Sequence, residues 1–171
     1  MTSQLVGLLV VALAGTAAVL YNGLVRARQH VREGWATIDV QLKRRASLIP
    51  NLVEAVKGYA EYERETLRRI TEARAAVSAA PGPGNAARAD AELTGVLRTF
   101  FAIAEAYPEL KANERFAQLQ TDLADTENKI AYARQYYNGA VELYNIKAES
   151  FPGLVVARLF GFARAEFFQA D

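Results

Sequence analysis

The residues of this chain that could do chemistry are few, and their spacing suits none that is familiar. There is one histidine, His30, set between Arg28 and Arg32, and no cysteine. A metal centre needs several ligands converging on one point, and a di-iron helical bundle needs a Glu-x-x-His pair on each of two helices. A single imidazole cannot supply either, so His30 is read as an interfacial side chain. Carboxylates gather at Glu61, Glu63 and Glu65, and again at Asp122, Asp125 and Glu127. Paired carboxylates serve acid–base catalysis in other settings. Here they alternate with cations at helical spacing, as in Glu61–Arg64–Glu65–Arg68–Arg69–Glu72, the pattern of a solvated face held by i,i+4 pairs. Glu63 and Thr126 fall instead on apolar seams, either as a polar layer that fixes register or as a seam edge facing water. Pro81-Gly82-Pro83-Gly84 lacks the Gly-Lys-Ser/Thr ending of a phosphate loop, and its prolines remove amide donors. No catalytic, cofactor-binding or metal residue is assigned, no cofactor is expected, and the chain is expected not to be an enzyme.

What remains is surface. Tyr136, Tyr137 and Tyr144 form an amphipathic cluster, and residues 153–171 carry Leu159, Phe160, Phe162, Phe167 and Phe168 interleaved with Arg158 and Arg164. These eight apolar and aromatic residues are the candidate interaction surface, because exposed aromatic clusters mark binding sites. Three fates for the tail stay open. It lies on a membrane surface with its arginines toward headgroups, docks on the bundle or a neighbouring subunit, or plugs the end of its own core.

The elements that position these residues are helical. From Leu5 to Leu20 no side chain is ionisable, and the first charged one is Arg26. Such a run of about 25 residues is roughly 37 Å long as a helix, enough for a hydrocarbon core of about 30 Å. Tyr21 falls where an interfacial aromatic belongs, followed by Arg26, Arg28, Arg32, Lys43, Arg44 and Arg45. That bias places the C-terminal bulk in the cytoplasm and the N-terminus outside. The rival reading is a signal cleaved after Ala14, against which stand the uncharged n-region and an apolar run that continues past the cut.

Apolar steps of three and four then recur along four further stretches. The expected architecture is all-α: a transmembrane helix over residues 4–23 after a short exposed N-terminus at 1–3, then an antiparallel up-down four-helix bundle over 24–151, then an apolar tail over 152–171. Its helices are placed at about 24–46, 48–79, 86–106 and 112–150. Ser47 is read as the N-cap of the second, with Pro50 in its first turn and Lys43, Arg44 and Arg45 at the C-terminus before it. Residues 81–85 read as a loop, Pro108 as a stop, and Asn113 as a cap for a helix with Phe116, Leu119, Leu123, Thr126, Ile130, Ala133, Tyr137, Ala140 and Tyr144 on one seam. A helix continuous across Pro50 is the competing possibility.

Several blocks resemble one family. They are Tyr21-Asn22-Gly23-Leu24-Val25-Arg26, the segment from Trp35 to Val53 with Leu48-Ile49-Pro50-Asn51, Lys57-Gly58-Tyr59, and Tyr107-Pro108-Glu109-Leu110-Lys111-Ala112-Asn113. Further on come Thr126-Glu127-Asn128-Lys129-Ile130, Tyr136-Tyr137-Asn138, Phe151-Pro152-Gly153, Leu159-Phe160-Gly161-Phe162 and Glu166-Phe167-Phe168. In this order they resemble the LemA family, and the chain is also similar to a magnetosome membrane protein group. The resemblance implies a bacterial membrane protein with an N-terminal anchor, an antiparallel helical bundle and no established catalytic activity.

The expected role is an adaptor or scaffold for another protein at the inner membrane. The alternative is a membrane-organising protein that self-assembles and engages lipid through anchor and tail. Expected partners are the bilayer, a protein of unknown identity and further copies of the chain. A net charge of +1, with cations and acids interspersed, gives no basis for nucleic-acid binding.

Overall fold

The computed structural model describes residues 2–57 and 64–170, and among these all regular structure is helical. Six helices follow in order: α1 Thr2–Val56, α2 Arg64–Ala79, α3 Gly82–Ala104, α4 Pro108–Lys111, α5 Glu114–Glu149 and α6 Gly153–Phe160. Ala60, Glu61 and Glu63 of the expected second helix, and Gly58-Tyr59 of the family-like blocks, lie outside the described residues. The chain divides into two compact units, one of residues up to Gly34 with Tyr136–Glu166, the other of Trp35–Gln135 with Phe167–Asp171.

The second unit is a bundle of four helical segments from α1, α2, α3 and α5. Its core follows the heptad-like steps, with Ile38, Leu42, Ile49, Leu52, Ile70, Val77, Leu93, Phe100, Phe116, Leu123 and Ile130 all buried. Two helix boundaries differ from expectation, each for an identifiable reason.

The first is Pro50. Instead of a helix ending near residue 46 and a new one capped by Ser47, α1 continues to Val56 with Pro50 inside it. The Ser47 hydroxyl donates back to the Arg44 carbonyl at 2.7 Å within the same helix. A proline inside a helix leaves the carbonyl four residues earlier without its donor, a loss of about 3 kcal/mol when nothing replaces it. Here that carbonyl belongs to Ala46, which is buried, and the Arg74 guanidinium donates to it through Nε at 3.0 Å. Arg74 interrupts the apolar seam of α2, and this bond is what the interruption does. The alternation of direction survives, with the first turn moved past residue 56. The α2 start shares a surface hollow with Val53 and Lys57, and its end shares one with Leu42 and Ala46.

The second is the Pro/Gly segment. Helix α3 begins at Gly82, so the connection after α2 is only Ala80-Pro81. Gly82 adopts φ 75°, a turn conformation that glycine takes without strain. Pro83 then falls in the first turn, where a missing N–H loses no helical bond. At the other end α3 stops at Ala104, and Pro108 opens the short α4. Asn113 caps α5 as expected, its Oδ1 accepting from the amides of Arg115 and Phe116 at 3.0 and 3.2 Å.

Charge inside this unit is concentrated at Arg45, which is 1% exposed rather than solvated at a helix end. Its guanidinium donates to Asp90 at 2.6 Å and lies 3.8 Å from Glu127. Burial raises the Asp90 carboxyl above its ordinary range; the Arg45 charge and hydrogen bond oppose this, and Glu127 adds to it. Elsewhere the charged faces pair as the spacing implies: Glu65–Arg68–Glu72, Asp39–Lys43 and Asp125–Lys129.

Two expected outcomes test this packing. Arg74→Met should lower the unfolding free energy by about 1–3 kcal/mol, the penalty for an unsatisfied buried acceptor, and by clearly less in a Pro50→Ala background that restores the helical N–H. Equal losses in both backgrounds, measured by urea unfolding, would refute the pairing. For Asp90 the folded chain holds its proton to higher pH than the unfolded chain does, so its contribution to stability falls as pH rises from the ordinary carboxylate range through the raised value. The stability of the unaltered chain relative to Asp90→Asn should therefore fall over that window and then level off, as followed by urea midpoints against pH.

Candidate functional site

The tyrosines of α5 and the aromatic tail belong largely to the first unit, so they are built up there. Between Leu24 and Ala27 of α1, Tyr144 and Ala148 of α5, and Val156, Ala157 and Phe162 lies one apolar cluster. Helix α5 approaches α1 closely, since a Cβ placed on Gly34 would lie 3.1 Å from the Tyr137 Cα. After α5 the chain turns through Phe151-Pro152, and α6 begins at Gly153. A Cβ at Gly153 would collide with the Lys147 carbonyl oxygen, so only glycine lets α6 start this close to the last turn of α5. Helix α6 ends at Gly161 in the left-handed conformation, φ 68° and ψ 36°, with the Phe162 amide bonded to the Ala157 carbonyl at 2.9 Å.

From residue 162 onward the backbone has no regular partner, and side chains of α5 take that part. The Tyr144 hydroxyl donates to the Ala163 carbonyl at 2.7 Å, and the Tyr137 hydroxyl to the Glu166 carbonyl at 2.7 Å. Asn145 bonds both backbone groups of Ala165: its Nδ2 donates to the carbonyl at 3.0 Å, and its Oδ1 accepts from the amide at 2.9 Å. This is the pairing a neighbouring strand would offer, supplied by one carboxamide. The register works because of pitch. Seven residues of helix rise about 10.5 Å between Tyr144 and Tyr137, and three extended residues from Ala163 to Glu166 cover about 10 Å.

Each candidate residue can now be placed. Tyr137 and Tyr144 are 2% exposed and Phe162 is 8% exposed, all within the first unit. Phe168 is buried in the second unit, its ring 6.3 Å from that of Trp35. Phe167 is half-buried. Tyr136, Leu159 and Phe160 are open, at 53%, 75% and 60% exposure. The structure thus separates the set: four members serve intramolecular packing, and three face outward. It also adds residues that spacing could have found but did not. Leu143 and Ile146 stand seven and ten positions after Tyr136 on α5 and are exposed, as are Phe151 and Val155 around α6. Asn145, one position past Tyr144 of the seam, carries the tail clamp. In the α5 seam Val141 is buried and Ala140 only half-buried, a step of four where three was expected.

Burial removes water from the Tyr137 phenol and, with the Glu166 charge, pushes its pKa up to about 12; burial raises Tyr144 too, partly offset by Arg28. Among the described residues no group of three or more His, Asp or Glu is arranged to hold a metal ion. His30 is exposed and lies 3.3 Å from Glu33.

Asn145→Ala should weaken the tail clamp by about 1–3 kcal/mol and speed hydrogen exchange at the Ala165 amide, while amides in the middle of α3 keep their protection. Unchanged exchange at Ala165 would contradict the clamp. Tyr137 keeps its proton in the folded chain to higher pH than in the unfolded chain, so its stabilisation is intact below pH about 10 and is lost as pH rises toward about 12. Tyr137→Phe should remove that alkaline loss, as read from urea midpoints across the range.

Comparison with known proteins finds relatives along most of the chain. Magnetosome protein MamQ 2 of Paramagnetospirillum magneticum is 28% identical over 186 aligned positions, covering 94% of this chain and 68% of its own length. Magnetosome protein MamQ of Magnetospirillum gryphiswaldense is 24% identical, covering 92% of this chain and 68% of its own length. Protein LemA of Metamycoplasma hominis is 27% identical, covering 88% of this chain and 69% of its own length. The profile of the LemA family matches residues 34–171, most of the chain, the stretch that holds the bundle helices, the Asn145 clamp and the aromatic tail, and the chain belongs to the LemA family.

Proposed function

We propose that this chain is a non-enzymatic adaptor, fixed to the inner membrane by α1 and offering a face of α5 to another protein. The observation that carries this reading is the set Tyr136, Leu143 and Ile146, exposed on α5 within the first unit while the opposite face, with Tyr137, Val141 and Tyr144, is buried. On a helix these three positions share one side, and an apolar side with a tyrosine hydroxyl at its end suits a partner helix that buries methyl groups and offers one polar contact. Anchoring is supported by the first part of α1, whose most apolar window has a mean hydropathy of 2.1 and is wholly exposed, unlike the core helix of a soluble protein. Arg26, Arg28 and Arg32 follow that segment and favour a cytoplasmic bundle with the N-terminus outside. The names of the similar proteins describe no reaction, which agrees with a binding role.

Photo-crosslinkers at positions 136, 143 and 146 should capture one discrete protein in cells, and a crosslinker at exposed Gln118 should not. Recovery of lipid alone, or the same products from every position, would count against the adaptor reading. A phosphatase fused after Asp171 should be inactive and a fluorescent protein fused there active; the reverse would overturn the orientation.

A further inference from the structure

With residues 162–166 clamped onto α5, the outward side of α6 is exposed among the described residues. Phe151, in the turn before α6, is 84% exposed, and Val155, Leu159 and Phe160 stand open on the helix itself. In water this would be an unfavourable surface, since a helix of eight residues would bury its inner side through Gly153, Val156 and Ala157 and leave its largest apolar groups outside. What covers them is indicated by the company they keep. The Phe160 ring meets Tyr21 edge-on with centroids 4.9 Å apart, and Phe162 meets the same tyrosine at 5.5 Å. Tyr21 is the residue that follows the uncharged run of α1, and Leu20 packs against the same cluster as Phe162. Nineteen helical residues before Tyr21 rise about 28 Å, close to the thickness of the hydrocarbon layer, so Tyr21 marks its edge. Apolar residues Leu5 to Val19, which must face lipid, are therefore continuous through Tyr21 with the open face of α6.

We infer that α6 is an interfacial helix whose outward side, with Val155 and Leu159 on it, Phe151 just before it and Phe160 at its end, enters the leaflet that Tyr21 borders, giving the chain a second lipid contact beside its anchor. Charge agrees with this placement. Arg26, a turn past Tyr21, and Arg158 on α6 are exposed and can meet lipid phosphates, Arg164 pairs with Glu149 at 3.6 Å, and Arg28 caps the Phe162 ring with its guanidinium carbon 4.7 Å from the centroid. Amphipathic helices of this type bury their apolar side about 5–10 Å into the headgroup and acyl boundary. Here the depth is set by attachment of α6 to α1 and α5, so the insertion needs no separate membrane affinity. It does not depend on the adaptor reading, which concerns α5.

The absence of cysteine allows site-specific labelling of the full chain. Leu159→Cys and, independently, Val155→Cys are labelled with an environment-sensitive fluorophore and reconstituted in mixed phosphatidylcholine–phosphatidylglycerol vesicles. Tyr136→Cys is the comparison position, and exchange at the Phe162 amide confirms that α6 is folded in each sample. Labels at 155 and 159 should be quenched several-fold more strongly by nitroxide-bearing lipid than the label at 136, and several-fold less by aqueous iodide. Iodide quenching equal to that at 136, without lipid quenching, would overturn the inference. So would protection from both quenchers, which would show that a second copy or another protein covers the face. Either result leaves crosslinking from α5 as a separate test of the adaptor reading.

Discussion

A buried carbonyl without a donor is the constraint on which much of this structure turns. Pro50 cannot give Ala46 its helical hydrogen bond, and Ala46 is inside the bundle, where no bulk water substitutes. Arg74 meets the need from the neighbouring helix. With that bond in place α1 runs unbroken past Ser47, where a turn was expected, and ends at Val56. The helix that continues from the membrane anchor therefore extends about ten residues further than the turn expected near Ser47 would allow. Pro50 fits inside a helix because the donor that replaces its missing N–H, Arg74, is close in space though distant in sequence.

The same requirement shapes the tail. An extended segment that packs on a helix must place its backbone amides and carbonyls somewhere, and helices present none of their own along their sides. Tyr137, Tyr144 and Asn145 provide them. Two of these are aromatic, so one side chain contributes both apolar burial and the hydroxyl that satisfies the tail. Aromatic content alone therefore overstates the exposed binding surface of such a chain. Tyr137 and Tyr144 are drawn inward together with Phe162 and Phe168, while Tyr136, Leu143 and Leu159 remain outside.

Buried charge follows a comparable logic with a different partner. Arg45 stands in a run of three cations that reads as a solvated helix end, yet it is the one of the three that turns inward. Its neighbours Lys43 and Arg44 reach Asp39 and Asp125 at the surface. Asp90 on α3 makes the difference for Arg45, and the pair ties the α1 segment to α3 at one register. Such a pair costs desolvation and contributes specificity more than net stability.

Sequence by itself determined the helical class, the lipid-length apolar segment, the α5 seam from Phe116 to Tyr137, and the cap at Asn113. These rest on periodicity, run length and a side chain bonding its own next turn, all of which are local. Tertiary structure alone decided whether Pro50 ends a helix, where α3 begins, which of Arg44 and Arg45 is buried, and which aromatic residues face inward. The physical reason is the same in each case. Local rules show that a proline lacks a donor, that an arginine carries charge and that a phenylalanine is apolar, but the group that completes the interaction lies on another segment: Arg74 for Ala46, Asp90 for Arg45, Trp35 for Phe168. No spacing within one helix reveals that group, because only packing brings it within a few ångströms.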